Sequence, residues 1–187
     1  NGVTHGPLLL RSAARPGDQV AVTGTLGGAE GGLQMLLQGL RGDPANVKSL
    51  RDAHLRRTPR IAEGRILAAG SVRCAMDISD GLVDDLGKLC HMSKLAARIS
   101  ADRVPTHPAL SAVFPGQETS FALMSGEEYE LLFTAPPDVM AKVCPLLPSG
   151  GTVIGEIREG TPGQVDVVDS LGRPWRLSSG GWDHFRS

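Results

Sequence analysis

Four aspartates crowd the twelve-residue stretch AMDISDGLVDDL, Ala75–Leu86: Asp77, Asp80, Asp84 and Asp85. The apolar residues that lead to Met76 read as a short strand. The spacing of Leu82, Leu86, Leu89 and Cys90 reads as a helix that buries one stripe. The acids therefore lie where a strand ends and a helix begins. One plain role is available there: Asp80 can cap the helix, and its charge suits the positive end of the dipole. That role leaves Asp77 unexplained. Two carboxylates across a tight turn can converge on one side, where they repel unless a hard cation joins them. Mg2+ commonly takes one or two carboxylates with waters and phosphate oxygens. Asp77 and Asp80 are thus candidate Mg2+ ligands, with capping by Asp80 as the structural alternative. Ser79 adds a hydroxyl, and Gly81 lets a phosphate approach the backbone. Asp84 and Asp85 read as solvated first-turn acids favoured by the dipole.

Three other stretches carry chemically useful side chains. GTLGGAEGG, Gly24–Gly32, follows a strand and opens a helix, a setting in which phosphates can be held. Its spacing matches neither G-x-G-x-x-G nor a P-loop, and no Lys follows in the required place. Close helix–strand packing is its default reading. In SGEEYELLF, Glu127 and Glu128 precede a strand and read, on spacing alone, as a solvated pair. GGWDHF gathers Trp182, Asp183, His184 and Phe185, where a Trp can anchor packing or stack on a flat cationic ligand. The remaining histidines are scattered and form neither a triad nor a metal set.

The elements that must position these groups can be read from pattern. Strands are predicted at Val20–Thr23, over SVRCAMDIS, at Lys94–Ser100, Tyr129–Thr134, Thr152–Ile157 and Gln164–Val168. Helices are predicted after the glycine loop, from an N-cap at Thr58 with Pro59 first, from Asp80, and over Pro137–Leu146. Alternation of strand and helix is imperfect, and the last strands are consecutive. That predicts an α+β (mixed α/β) fold, a mixed sheet flanked by helices. The chain has 187 residues, 41% hydrophobic, with a net charge of −1, which suits one packed domain and gives no basic surface for nucleic acid. No run is long and apolar enough for a membrane span. Three well-separated cysteines, Cys74, Cys90 and Cys144, read as reduced thiols in a cytoplasmic protein. Residues 1–18 read as an interdomain linker and first turn, and 19–187 as one domain of a longer protein.

Six stretches in order resemble the C-terminal half of the thiamine-monophosphate kinases, in the aminoimidazole-ribonucleotide-synthetase-like superfamily. They are RSAARPGD from Arg11, VTGTLGGAEGGL from Val22, RRTPRIAEG from Arg56, DISDGLVDDL from Asp77, SGEEYELLF from Ser125 and GWDHF from Gly181. The resemblance implies ATP-dependent phosphorylation of thiamine monophosphate to thiamine diphosphate. It implies that Asp77 and Asp80 bind Mg2+, with Asp80 the catalytic one, that Ser79 and Arg11 contact ATP, and that Glu127 and Trp182 meet the substrate. It also implies an absent N-terminal domain that holds further metal ligands, most ATP contacts and a homodimer interface, so this chain alone is expected to be inactive. The family motif reads Gly-Gly-Glu-Asp-Tyr-Glu-Leu; here Ser125 replaces the first Gly and Glu128 the Asp, and Arg57 stands where Pro is common. The alternatives are another ATP-dependent enzyme of the superfamily, or a non-catalytic ligand-binding module that keeps the fold.

Overall fold

The structure is a computed structural model that describes residues 8–40 and 42–175. Its frame is a six-stranded sheet built from β1 (Gln19–Thr23), β2 (Cys74–Asp77), β3 (Ala96–Ser100), β4 (Leu131–Ala135), β5 (Gly151–Arg158) and β6 (Val165–Val168). The order is β2-β4-β1-β5-β3-β6. Every neighbouring pair is antiparallel except β3 and β6, which run parallel. The mixed sheet expected from the sequence is therefore present. The last two strands do not pair with each other; they flank β3 instead.

Alternation along each strand divides two cores. Val20 and Val22 of β1, Cys74 and Met76 of β2, and Leu132 of β4 face one. Ala21, Ala75 and Phe133 face the other. The first core is closed by α4 (Leu82–Ser93) and α6 (Glu118–Met124). The expected stripe is in place: Leu82, Leu86, Leu89 and Cys90 of α4 are all fully buried, each leucine contributing roughly 1.5–3 kcal/mol. The second core is closed by α3 (Ile61–Ala69) and α7 (Pro137–Val143).

A third cluster joins α1 (Gly28–Leu37), α2 (Pro44–Leu55) and the short α5 (Leu110–Val113) through Met35, Leu50, Leu110 and Phe114. Here the glycines serve packing, but of helix on helix and not of helix on strand as the sequence suggested. A Cβ on Gly32 would stand 2.2 Å from the Leu50 carbonyl oxygen, so only glycine lets α1 and α2 approach this closely.

Two helix starts differ from expectation. The chain at Thr58 and Pro59 stays non-helical, and α3 begins at Ile61 after Arg60. Helix α2, which the hydrophobic pattern did not reveal, is capped by Asp43, whose carboxylate accepts from the Ala45 and Asn46 amides, both at 3.1 Å. All three cysteines are free, with Cys74 and Cys90 buried. Among the described residues no helix is long and apolar enough to cross a membrane.

Candidate active site

The acidic turn joins β2 to α4. Asp77 closes β2 opposite Leu131, and α4 begins one residue after Gly81. The cap is not Asp80. It is Asp85, whose Oδ2 accepts from the amides of Ser79 at 2.8 Å, Asp80 at 2.8 Å and Gly81 at 3.3 Å. Asp85 is fully buried, which corrects its reading as a solvated acid. The reason is geometric: helical side chains tilt toward the N-terminus, so a carboxylate one turn in reaches back to the amides of the turn that precedes the helix. With the cap supplied from within the helix, Asp80 is free to project outward, its side chain 60% exposed.

Lys88 sits one turn further along. Its ammonium contacts Asp80, Asp84 at 2.7 Å and Asp85 at 2.9 Å. The hydrogen bond from Lys88 holds the Asp80 carboxyl below the usual range. The same contacts, led by that to Asp80, raise the Lys88 ammonium above its ordinary value. Carboxylate oxygens of Asp80, Asp84 and Asp85 lie within 4.8 Å of one another. Asp77 is half-buried at the strand end and is not in that group.

The Glu127 turn is fastened to the acidic turn through backbone. The Glu127 amide donates to the Ser79 carbonyl at 2.8 Å, Tyr129 to Ile78 at 2.9 Å, and Ile78 to Glu130 at 2.8 Å. Gly126 permits this approach, since a Cβ there would lie 2.5 Å from the Ser79 oxygen. Glu127 and Tyr129 take positive φ, 62° and 55°, a conformation that costs non-glycine residues roughly 1 kcal/mol or more each. The Glu127 carboxylate is exposed and faces Arg57 at 3.6 Å, while the Arg57 guanidinium lies 5.4 Å from the Tyr129 ring centre. The fold thus places Glu127 beside Ser79 and Asp80, residues more than forty positions earlier in the chain.

Behind this pair of turns lies a cleft of about 310 Å³, bounded by the glycine loop, the α2–α3 link and the entry to β4. Its floor is a buried network. Glu130 accepts from Arg60 Nε at 2.7 Å and Nη2 at 2.5 Å, and from the Thr23 hydroxyl at 2.5 Å. Glu130 keeps the Arg60 guanidinium above its ordinary basicity. Glu128 lines the same cleft. It is a fixed group, not half of a solvated pair: its Oε1 accepts from the Gly27 amide at 2.9 Å and lies 2.9 Å from Ser125 Oγ. Burial pushes its carboxyl up to about 7.

A raised carboxyl pKa means the folded chain binds the proton more tightly than the unfolded one. The stabilisation is complete below the unfolded value of 4.5 and is lost as pH rises through about 7. Urea unfolding of the wild type and of Glu128→Gln at pH 5 to 8 is therefore expected to differ in slope. The wild type should lose about 2 kcal/mol relative to the variant across that window, and parallel curves would show that Glu128 ionises freely.

Arg11 lies apart on an exposed turn, where its carbonyl accepts from the Ser93 hydroxyl at 3.1 Å. No hydrogen bond among the described residues joins its side chain to the acidic turn. Trp182 lies outside the described residues, as does the rest of GGWDHF. Sequence reasoning missed Lys88, Arg60 and Glu130 as partners, and the buried role of Asp85. For Lys88 a signal existed, since it follows Asp84 and Asp85 at helical spacings of four and three.

The chain as a whole is similar to a recognisable set of proteins. The thiamine-monophosphate kinase of Escherichia coli K12 is 38% identical over 188 aligned positions, covering 98% of this chain and 57% of the relative. The crystal structure of the enzyme of that name from Stenotrophomonas maltophilia K279a superposes with a TM-score of 0.80 at 36% identity, covering 92% of this chain and 56% of that one. AaThiL, solved in complex with AMPPCP and TMP, gives a TM-score of 0.77 at 33% identity over 95% of this chain and 54% of its own. The chain thus spans little more than half the length of these relatives. Residues 15–168 match the C-terminal domain of AIR synthase related proteins, and the chain belongs to that family.

Proposed function

We propose that this chain is the C-terminal part of an ATP- and Mg2+-dependent kinase that phosphorylates thiamine monophosphate to thiamine diphosphate. The observation that carries the reading is the joining of the Asp77–Asp80 turn to the Glu127 turn through backbone hydrogen bonds, in a chain 38% identical to a thiamine-monophosphate kinase. The donor set suits a hard cation: Asp80 offers an exposed carboxylate, and its cluster of oxygens already attracts an ammonium. In this reading Asp77 and Asp80 hold Mg2+, Ser79 and Arg11 meet ATP, and Glu127 and Trp182 meet the thiamine portion. An N-terminal domain, a homodimer and a cytoplasmic setting belong to the same proposal.

The reaction forms a bond between a phosphate oxygen of thiamine monophosphate and the γ-phosphorus of ATP, and breaks the β–γ bridge to release ADP. The attacking oxygen is already ionised at neutral pH, so the protein need not supply a strong base. Bound Mg2+ supplies charge neutralisation for the phosphates. The chain's own task is placement. Asp85 holds the turn so that Asp80 projects outward, and the Ser79 carbonyl fixes the Glu127 backbone.

Asp80→Asn in the whole enzyme tests the assignment. The amide keeps the size of the side chain, and Asp85 still caps α4, so the melting temperature should hold. The kcat for thiamine monophosphate should fall about 10²-fold or more. A variant with near-normal kcat would remove Asp80 from the reaction. A wild-type enzyme that turns over another phosphate instead would favour a different branch of the superfamily.

A further inference from the structure

We infer that Ser125 and Glu128 form a positioning pair that caps α1 from outside the helix and fixes the glycine loop against the turn presenting Glu127. A helix leaves its first amides without partners, and α1 is preceded by Gly27, which has no side chain to offer. The Glu128 carboxyl fills that place, taking the Gly27 amide at 2.9 Å. Glu128 itself stands between two left-handed residues, Glu127 and Tyr129, so its backbone is held by surroundings and its side chain is aimed.

Ser125 completes the link. Its hydroxyl has one proton and two oxygens in reach, the Phe121 carbonyl at 2.5 Å and Glu128 Oε1 at 2.9 Å. Ser125 therefore ties the end of α6 to the carboxyl that holds the start of α1. The two side chains touch each other and act as one unit.

The loop they hold supplies Thr25 and Gly28 to the lining of the cleft, which Arg57 and Arg60 also line. The pair thus sets the fit of a ligand in the cleft through the loop. Only its effect on substrate rests on the kinase reading; the capping does not.

Two measurements test it. The first is amide hydrogen exchange of this chain, read by NMR at Gly27 and at Met35 in the middle of α1. Glu128→Ala should speed exchange at Gly27 about five-fold or more, the scale of a lost cap, with Met35 unchanged. Glu128→Gln keeps an acceptor and should restore protection. Ser125→Ala should give part of the effect, and the double alanine variant no more than Glu128→Ala alone. Unchanged Gly27 exchange in Glu128→Ala, or in Ser125→Ala if the former does not fold, overturns the proposal. So do effects of the two single variants that multiply in the double.

The second measurement applies to the whole enzyme. The KM for thiamine monophosphate should rise about five-fold in Glu128→Ala, more than kcat falls. A fall in kcat alone would overturn the positioning role. An enzyme that never uses thiamine monophosphate would defeat the kinase reading and leave the exchange result to decide the pair.

Discussion

Asp85→Ala is expected to destabilise the chain by about 3 kcal/mol or more, the scale of leaving several amide donors without their acceptor. Asp85 is fully buried and accepts from three consecutive amides while pairing with Lys88. Alanine removes the acceptor and leaves those donors to whatever water can enter, each unsatisfied group costing roughly 1–3 kcal/mol. It also leaves Lys88 to its exposed partners alone. Asp85→Asn should be milder, because a side-chain oxygen remains to accept from the turn. Asp80→Ala is the control: its side chain is exposed, and the unfolding midpoint should stay close to that of the wild type. Urea unfolding of the three variants gives the ordering directly. Equal midpoints for Asp85→Ala and the wild type would show that the turn does not depend on this carboxylate. In the proposed reaction the same residue would act at one remove, by keeping Asp80 and Ser79 beside Glu127.

Arg60→Ala is expected to have an effect of similar size for a different reason. Glu130 is buried and receives two hydrogen bonds from the Arg60 guanidinium, with the Thr23 hydroxyl as a further donor. Removing Arg60 leaves a carboxylate in the floor of the cleft with one neutral donor, a change that typically costs about 3–5 kcal/mol. The test that isolates the charge is the double replacement Arg60→Met with Glu130→Met. Apolar side chains of similar length remove both charges together, and the double variant should be more stable than either single one. If Arg60→Met alone is as stable as the double variant, the network contributes shape and no electrostatic demand. Because Arg60 opens α3 and Glu130 leads into β4, the same loss should loosen the cleft.

Much of the scaffold was legible because its signals are local. Alternating residues marked β1, and the four-residue stripe of α4 marked both that helix and the face it buries. The glycine spacing in Gly24–Gly32 pointed to close packing of a helix on a strand; the close approach is there, but Gly32 meets Leu50 of a second helix. The aspartates of the acidic turn stood out by type and crowding alone. Helix starts were less legible. Thr58 followed by Pro59 has the form of a cap, yet the next residues are held by Arg60 reaching across to Glu130, and α3 begins only after it.

Composition and periodicity by themselves determined the fold class, the existence of a strand leading into the acidic turn and of a helix leaving it, and the charge gathered between them. They did so because burial and backbone pairing repeat over a few residues. Tertiary structure alone decided which aspartate serves the backbone and which faces outward. Asp80 and Asp85 have the same chemistry, and only the path of the turn puts Asp85 under three amides and Asp80 in solvent. It decided too that Glu127 belongs to the acidic turn and Glu128 to the glycine loop. Adjacent residues in a left-handed turn point in different directions, and what each one meets is set by segments far away in sequence.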